Sequence, residues 1–431
     1  MTRAVVVGGG FGGLCAARVL AEHGADVVVL EQDEVTAESL QRRGVPQAQH
    51  PHALLARGLR ELEALFPGLG DELTAVGAPE ADFGEVVRYR VPAGWAPRVP
   101  VGLPIRTVTR PVLERLLRRR VLADPRVTTR GGFTAEDLLW RGDRVCGVRG
   151  PRVVDADLVV VATGRHSRVG TWLRYGGFEP PKALVVDAGT VYTTREFSAG
   201  STRDWTAVAE FPRAPGVRRG GLVVTTESGT RLVTLVGADG QVAPTTESGF
   251  LNYARGLRAP EFADVIGSGE PVGTVHRMAR LHSRWTLLHR MPRWPAGLLC
   301  LGDAVCALNP VHAQGMTVAA VQAAVLRDGL AEGVAEVELQ RRIAGAVGQA
   351  WALATGADRV WDPFPTPWRS RALVRVLARV DERLPGDPGL FRDFSRVAHL
   401  VDRPGPGLLW RALRPVRRGH QRGAVLDQPL A

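Results

Sequence analysis

Residues 4–32 read AVVVGGGFGGLCAARVLAEHGADVVVLEQ and contain a valine-rich strand, a glycine turn, a helix and a second strand. Gly8, Gly10 and Gly13 form the pattern GxGxxG, in which the glycines permit a tight turn, close approach of a pyrophosphate and close helix packing. The unpaired N–H groups and the dipole at the helix N-terminus favour an anion. Glu31 ends the second strand, where an acid can bind a ribose diol. This stretch therefore predicts a dinucleotide site in a Rossmann-like unit, without deciding between FAD and NAD.

Length and composition set the frame for this unit. The chain has 431 residues, of which 45% are hydrophobic and 23% charged, as in ordinary globular proteins of two or three packed units. No run of about 20 apolar residues is present, and no signal-peptide pattern precedes the first strand. We therefore expect a cytoplasmic protein.

The cysteines and the charge exclude several classes of function. Cys15, Cys146, Cys300 and Cys306 show neither CxxC spacing nor a neighbouring histidine cluster, so we expect reduced, buried cysteines and no metal site. The net charge of +11 comes almost wholly from dispersed arginines with no recognition motif, so no nucleic-acid partner is expected. Arginines recur among apolar residues only near the C-terminus. A solvated helical face explains them, and weak peripheral contact with an anionic membrane is the alternative. They are Arg369, Arg371, Arg375, Arg379, Arg411, Arg414, Arg417 and Arg418.

The distribution of elements predicts an α/β protein in three parts. A discontinuous domain of Rossmann-like type is expected over residues 1–82, 101–186 and 271–345, and the family resemblance described below implies that it binds FAD. A mostly antiparallel sheet that binds substrate is expected over residues 83–100 and 187–270, where short strands alternate with turn signals. Residues 346–431 are predicted to form a C-terminal helical region. The sequence leaves the oligomeric state undetermined.

Three motifs follow one another in a characteristic order: the N-terminal GxGxxG, ATGRHSR at residues 162–168 and LGDAVCALNPVHAQGM at residues 301–316. This order resembles the single-component FAD-dependent monooxygenases related to aromatic-ring hydroxylases, over nearly the whole chain. Within that superfamily, RRGVPQAQHPHALLARG (42–58), VDAGTVYTTREF (186–197) and FPRAPGVRRGG (211–221) are similar to a bacterial tailoring subgroup that includes polyether alkene epoxidases.

The resemblance implies positions for the cofactor. Asp303 would bind the ribitol chain of FAD, which agrees with the need of a buried carboxylate for hydrogen-bond donors. The helix that begins at Gly315 and Met316 would direct its N-terminus at the flavin's carbonyl edge. The remaining positions that the family implies are Pro310 against the flavin ring, Arg42 near the flavin, Arg110 near the phosphate and ribitol, and Gly164 with Arg165 near the pyrophosphate. For Arg42 and Arg110, an ordinary surface role is the alternative.

Two positions depart from the family pattern. Thr163 stands before Gly164, where the superfamily often has an aspartate, so a nicotinamide-binding role there loses its support. Ala313 replaces a glycine beside the flavin, where its methyl group either narrows the approach or packs without effect. His312 next to it is a candidate acid or base, and a merely packed or exposed histidine is the alternative.

The chemistry that the resemblance implies is centred on the cofactor. NADPH or NADH would reduce FAD, and O2 would give a flavin hydroperoxide that passes oxygen to an electron-rich substrate. We predict epoxidation of an alkene in a lipophilic secondary metabolite of polyketide or terpenoid type, as in antibiotic biosynthesis. The alternatives are hydroxylation of a polycyclic aromatic substrate, flavin-dependent reduction of isoprenoid double bonds, and a non-catalytic flavin-binding module.

The substrate should lie between the flavin and the inserted sheet. Aromatic residues of the predicted strands are candidates for lining its site, although such residues more often form a sheet's core. These candidates are Phe83, Tyr89, Trp95, Tyr192, Phe197, Trp205 and Phe211.

Overall fold

The architecture was analysed in a computed structural model, which describes residues 2–40, 42, 44, 46–200, 203–361 and 368–414. The strands are β1 (Arg3–Val7), β2 (Asp26–Leu30), β3 (Ala81–Asp82), β4 (Val87–Val91), β5 (Gly94–Trp95), β6 (Pro104–Ile105), β7 (Val127–Arg130), β8 (Asp137–Arg141), β9 (Arg144–Arg149), β10 (Val153–Asp155), β11 (Leu158–Val161), β12 (Ala183–Val186), β13 (Val191–Phe197), β14 (Ala207–Glu210), β15 (Arg219–Thr225), β16 (Arg231–Gly237), β17 (Pro271–Met278), β18 (Ser283–Thr286), β19 (Leu298–Cys300) and β20 (Cys306–Ala307). The helices are α1 (Phe11–Glu22), α2 (Ala56–Leu65), α3 (Leu69–Ala75), α4 (Phe83–Val86), α5 (Arg110–Leu122), α6 (Val169–Tyr175), α7 (Glu247–Arg255), α8 (Glu261–Ser268), α9 (Gly315–Ala331), α10 (Glu336–Gly345), α11 (Gly348–Asp358), α12 (Trp368–Arg383), α13 (Pro388–Ala398) and α14 (Pro406–Leu413).

A five-stranded parallel sheet in the order β19-β11-β1-β2-β7 carries the glycine turn. Its strands are nearly continuous valine and leucine because helices or a second sheet cover both faces. On one face α1, α5 and α9 form a core through residues such as Leu14, Leu117 and Leu326. On the other face, β8, β9 and β10 pack with Trp172 of α6. The glycine turn directly follows β1 of this sheet. The helix α9 begins at Gly315, in the loop that follows β20.

A seven-stranded sheet in the order β17-β13-β16-β15-β14-β4-β5 lies in the second part of the fold. Its pairs are antiparallel except β4 with β14, which run parallel. On one face α7 and α8 insert Phe250 and Phe262 against Val223 and Val233. Because β17 pairs with β13, the sheet continues to Met278, eight residues beyond the boundary expected at residue 270.

The C-terminal helices complete the core beside β4. Val380 of α12 and Leu384, which directly follows that helix, pack with Phe391 of α13 against Tyr89 and Val91. The expected α/β class, with a Rossmann-like part, a mostly antiparallel sheet and C-terminal helices, is thereby confirmed.

Some positions of the predicted membrane-contact region cannot be placed. Arg417 and Arg418 lie outside the described residues, as does the side chain of Arg369. Over the described ranges, none of the helices combines the length and the apolar character needed to cross a bilayer.

Candidate functional site

The glycine turn joins β1 to α1 and has the close packing that its sequence predicts. Gly8 has φ +105°, a conformation that disfavours side chains, and a Cβ added there would lie 2.6 Å from the carbonyl oxygen of Ala162. A Cβ at Gly13 would lie 1.8 Å from the carbonyl oxygen of Gly8. The turn therefore tolerates only glycine at these two positions, and it leaves the backbone around Gly10 close to the N-terminus of α1.

A buried cluster of two acids and two arginines surrounds this helix N-terminus. The Glu31 carboxylate accepts hydrogen bonds from the backbone N–H of Gly9 at 2.8 Å and from Arg42 Nη1 at 2.9 Å. Arg42 Nη2 donates to Glu114 Oε2 at 2.5 Å. A Cβ on Gly10 would be 3.3 Å from Arg42 Nη2, so this guanidinium lies directly at the turn. The cluster brings together Glu31, Arg42 and Arg110, which were predicted separately from distant parts of the sequence. Arg42, which was expected near the flavin or at the surface, is buried at the glycine turn.

Glu114 is the member of this cluster that the sequence analysis missed. Its Oε1 accepts from the backbone N–H of Phe11 at 3.1 Å and from Arg110 Nε at 2.8 Å, so it caps the first turn of α1. Burial alone would raise the pKa of Glu114, but the charges and hydrogen bonds of Arg110 and Arg42 outweigh it and lower the pKa to about 2. The available signal was an acid four residues after Arg110, on the apolar face of α5.

Asp303 lies just after β19, beyond Gly302 with φ +68°. Its side chain is partly buried, and no hydrogen bond to its carboxylate comes from the part of the protein that the structure describes. Burial raises the pKa of Asp303, while the positive charges of Arg165 and Arg110 act in the opposite direction. An acceptor-only carboxylate in this setting fits a ligand that brings hydroxyl donors.

Gly164 and Arg165 lie on the short turn after β11. Arg165 donates to the backbone carbonyls of His282 and Leu308, at 2.6 Å each, and so ties this turn to the loop after β20. Two N–H groups of its guanidinium are therefore engaged by the protein's own backbone, and the pyrophosphate contact expected for Arg165 stays a prediction. Gly164 has φ +74°, and Thr163 Oγ1 is buried with no hydrogen-bond partner in the described ranges.

The loop at residues 308–314 leads into α9. Ala313 has φ +54°, in the left-handed region, which explains why a glycine suits this position. The alanine therefore has a backbone cost. Ala313 also lines the cavity described below, and the effect of its methyl group on the approach to the flavin stays a prediction. Pro310 is exposed, Gly315 begins α9 and Met316 is buried, while Gln314 Oε1 is buried with no partner among the residues that the structure describes.

His312 is held by an acid that the sequence analysis did not identify. Its Nε2 lies 3.0 Å from Asp358 Oδ1, and Asn309 Nδ2 donates to Asp358 Oδ2, also at 3.0 Å. Asn309 Nδ2 also lies 3.0 Å from Thr190 Oγ1. Because Thr190 directly precedes β13, this contact anchors His312 and Asp358 to the seven-stranded sheet. The arrangement resembles the way in which an acid orients a histidine for proton transfer.

A cavity of about 570 Å³ adjoins this loop, and its walls come from three parts of the fold. Val311, His312 and Gln314 form the wall beside α9, while Leu222 and Val224 belong to the seven-stranded sheet. The C-terminal helices supply a third wall, which sequence analysis did not foresee. Its residues include Leu377, Val380, Asp381, Phe391, Phe394 and Val397.

The seven aromatic candidates divide between two sides of the sheet. Phe83, Tyr89 and Phe211 line the cavity. Tyr192 is buried beside Val236 and His50 and is not among the cavity's described lining residues. Trp95, Phe197 and Trp205 pack instead in the core formed with α7 and α8, where the cavity does not reach. The expectation that these three line the same cavity is therefore corrected, because their side chains pack on the side of the sheet that α7 and α8 cover.

These features fit FAD. Gly8 and Gly13 form a turn without room for side chains, and Asp303 lacks a protein donor in the described chain. The helix α9 begins beside Asp303, since a Cβ added at Gly315 would lie 3.8 Å from Asp303 Oδ1. The residues placed to hold the cofactor are the glycine turn and Glu31 for its nucleotide part and Asp303 for its hydroxyl-bearing chain.

Comparison with known proteins supports this assignment. A family model described as FAD binding domain matches residues 1–341. Protein Rv3254 of Mycobacterium tuberculosis (strain ATCC 25618 / H37Rv) is 32% identical over 397 residues, which cover 85% of this chain and 83% of that protein. Chloroplastic zeaxanthin epoxidase of Prunus armeniaca is 31% identical over 177 residues, covering 39% of this chain and 25% of the epoxidase.

Among solved structures, the tetrameric form of 2-methyl-3-hydroxypyridine-5-carboxylic acid oxygenase is similar in fold, with a TM-score of 0.64 and 20% identity. The likeness covers 93% of this chain and 96% of that one. Because the family model spans residues 1–341, well over half of the chain, the protein belongs to the FAD binding domain family.

Proposed function

We propose that the protein uses NADH or NADPH and O2 to epoxidise an alkene in a lipophilic secondary metabolite of polyketide or terpenoid type. The cavity carries this proposal, because apolar residues of the sheet and of α12 and α13 form most of its walls and the loop before α9 forms another. A volume of about 570 Å³ suits a molecule of drug-like or terpenoid size. The partial similarity to zeaxanthin epoxidase is consistent with an alkene substrate.

When bound, FAD would supply the redox chemistry, accepting reducing equivalents from the nicotinamide and activating dioxygen. The chain's own residues would hold the cofactor, exclude water and orient the substrate. Glu31 and the glycine turn would hold the nucleotide, Arg42 and Arg110 would supply positive charge near the phosphates, and Asp303 would bind the ribitol hydroxyls. The N-terminus of α9 would favour negative charge on the bound ring.

His312 and Asp358 bear on the choice of reaction. Alkene epoxidation needs no base to deprotonate the substrate, whereas hydroxylation of a phenol gains from one. In the structure Asp358 engages Nε2 of His312, and both residues line the cavity. This pair favours aromatic hydroxylation as the second candidate, since an oriented histidine is the usual means of proton transfer.

One experiment separates the two reactions. For epoxidation, His312→Ala is expected to keep product formation within roughly tenfold of the parent, about 1.4 kcal/mol in the barrier. The measurement is turnover of an alkene and of a matched phenol under isotopically labelled dioxygen, followed by mass spectrometry. The exposed His166, replaced by alanine, is the matched control.

The outcomes are distinct. Labelled epoxide with a modest effect of His312→Ala supports the proposal. Labelled phenol product whose rate collapses only in His312→Ala would establish hydroxylation instead. Product without label would rule out oxygen insertion altogether, and turnover without oxygen would indicate reduction of a double bond.

We also propose the functional division of the chain. The parallel sheet and its helices would form the FAD-binding domain, and the seven-stranded sheet would form the substrate domain together with the C-terminal helices. A cytoplasmic location with weak peripheral membrane contact is part of the proposal. The membrane contact is supported by the exposed Trp410 and Leu413 of α14, which lie beside Arg411 and Arg414, a combination that suits anionic lipid surfaces. The two arginines also pair with Asp393 and Asp387.

A further inference from the structure

A polar group of three side chains interrupts the apolar wall of the cavity. Tyr89 of β4, Arg213 of the loop between β14 and β15, and Asp381 of α12 all line it. Arg213 donates through Nη2 to the Tyr89 hydroxyl, and its Nε lies 3.1 Å from Asp381 Oδ2. These three residues are far apart in sequence and belong to three different elements. We call them the Arg213 group.

The surrounding structure fixes the Arg213 group in place. The backbone N–H and carbonyl of Arg213 exchange hydrogen bonds with Val217 at 2.7 and 2.8 Å, which closes the loop into a tight turn. The Tyr89 ring lies between Phe211 and Phe394, with ring centroids 6.4 Å from each. Preorganised donors of this kind lose little entropy when they bind a ligand.

The donors of this group exceed its acceptors. The Tyr89 oxygen accepts from Arg213, so its own O–H proton needs a further acceptor, and none is present among the described residues. Arg213 Nη1 likewise has no acceptor in the ranges that the structure describes. Burial raises the pKa of Tyr89, which keeps the phenol in its protonated, donating form. A phenol O–H and a guanidinium N–H in the wall of an apolar cavity are thus available to a ligand.

The charge of the group selects the kind of acceptor. Asp381 already balances the positive charge of Arg213, so the pair is formally neutral. A carboxylate ligand would place a second anion next to Asp381 in a poorly solvated site, which is unfavourable. A neutral carbonyl oxygen accepts both donors without adding charge.

We propose that the Arg213 group is a specificity site that binds a neutral carbonyl oxygen, as in an ester, lactone or ketone, of an otherwise apolar substrate. This inference deepens the proposed function by naming a chemical feature of the substrate. The group would anchor the polar end of the molecule through Tyr89 and Arg213, and the apolar remainder would lie along the cavity toward the loop that carries His312.

Direct binding tests this inference without any turnover. The probes are methyl geranate, geranate and the hydrocarbon 2,6-dimethylocta-2,6-diene, which share a carbon skeleton and differ at one end. Each is titrated into the FAD-loaded protein by isothermal calorimetry. We expect methyl geranate to bind at least about tenfold more tightly than the hydrocarbon, the difference that one or two added hydrogen bonds give, and more tightly than geranate.

Two variants separate the contribution of the Tyr89 hydroxyl from that of the Arg213 guanidinium. Tyr89→Phe keeps the packed ring and removes the hydroxyl, so the preference for the ester over the hydrocarbon should fall by about tenfold while hydrocarbon affinity stays unchanged. The double variant Arg213→Met/Asp381→Leu removes both charges together and avoids leaving a buried acid unpaired. Tyr253→Phe is the matched control, because that hydroxyl bonds the Val236 carbonyl at 2.8 Å and lies outside the cavity lining.

Equal affinities for the ester and the hydrocarbon, or an unchanged preference in Tyr89→Phe, would overturn the inference. Tightest binding of geranate would show an anion site and would also overturn it. Failure of the proposed function would give a different result. If the ester preference depends on Tyr89 but no product contains labelled oxygen, the carbonyl site is supported and the proposed monooxygenation is refuted.

Discussion

Replacing Glu114 by glutamine should show how strongly the acid at the N-terminus of α1 stabilises the cofactor site. Its carboxylate bonds Arg42, Arg110 and the backbone N–H of Phe11. Glu114→Gln keeps the shape but removes the charge, which leaves two buried guanidinium groups with one remaining acid, Glu31. Removing one partner of such a buried pair costs about 3 to 5 kcal/mol.

The pKa of Glu114 gives a similar value for the free energy that its charge contributes to stability. A fall from 4.5 to about 2 corresponds to about 3 kcal/mol in favour of the charged form. Because the folded-state pKa is lowered, this stabilisation is present above pH 4.5 and is lost as the pH falls toward 2. We therefore expect the free energy of unfolding of the FAD-free protein to drop by about 3 kcal/mol at neutral pH.

Urea denaturation, followed by circular dichroism with and without FAD, measures this effect. The loss should be smaller in the FAD-loaded protein, since a pyrophosphate at the helix N-terminus would supply negative charge to Arg42 and Arg110. Glu72→Gln is the matched control, because Glu72 forms a surface pair with Arg120 that is worth at most about 1 kcal/mol. If Glu114→Gln costs no more than the control, or if FAD does not reduce the loss, the reasoning about this cluster is wrong.

Three further expectations concern the cofactor and pH. Gly13→Ala should abolish FAD retention, because the new Cβ would lie 1.8 Å from the Gly8 carbonyl oxygen. Gly345→Ala should retain FAD, because a Cβ there would meet no described atom within 4 Å beyond its chain neighbours and its own helix. Equal flavin absorbance in both purified variants would contradict this. Asp303→Ala should weaken FAD binding by a few kcal/mol at most, roughly the worth of charge-assisted hydrogen bonds to the ribitol, and parental affinity in equilibrium dialysis would leave Asp303 with a merely structural role. Burial lowers the pKa of His399 to about 4, so its contribution to stability is complete above pH 6.5 and falls as the pH decreases toward 4. His399→Gln should therefore make the urea midpoint less dependent on pH between 4 and 6.5, and an unchanged slope would show that the buried imidazole does not control acid stability.

Much of the cofactor site follows from local sequence. A strand, a glycine turn and a helix are specified by neighbouring residues, so Gly8 and Gly13 could be assigned from spacing, and the structure shows the close contacts that require glycine there. The polar contacts of the same site could not be assigned in this way. Arg42 meets Glu114 across 72 positions of the chain, and only the packing of α5 beside α1 brings them together.

The aromatic residues show a second limit. Alternation along a strand already separates Tyr192 from Phe197, which are five positions apart on β13 and therefore point to opposite faces. Alternation does not say which face borders a cavity, because that depends on whether helices cover it. In this fold α7 and α8 fill one face, while α12 and α13 leave a space at the other.

The sequence by itself determined the α/β class and the glycine turn, because these depend on short-range backbone geometry and on hydrophobic periodicity. The flavin-related positions followed from the resemblance to FAD-dependent monooxygenases. Only the tertiary structure decided that Asp358 orients His312, that Arg165 ties two loops together, and that Tyr89, Arg213 and Asp381 form one group. Each of these contacts joins residues from separate elements. Their meeting depends on how the sheets and helices pack, since a hydrogen bond between distant residues forms only after the intervening chain has folded.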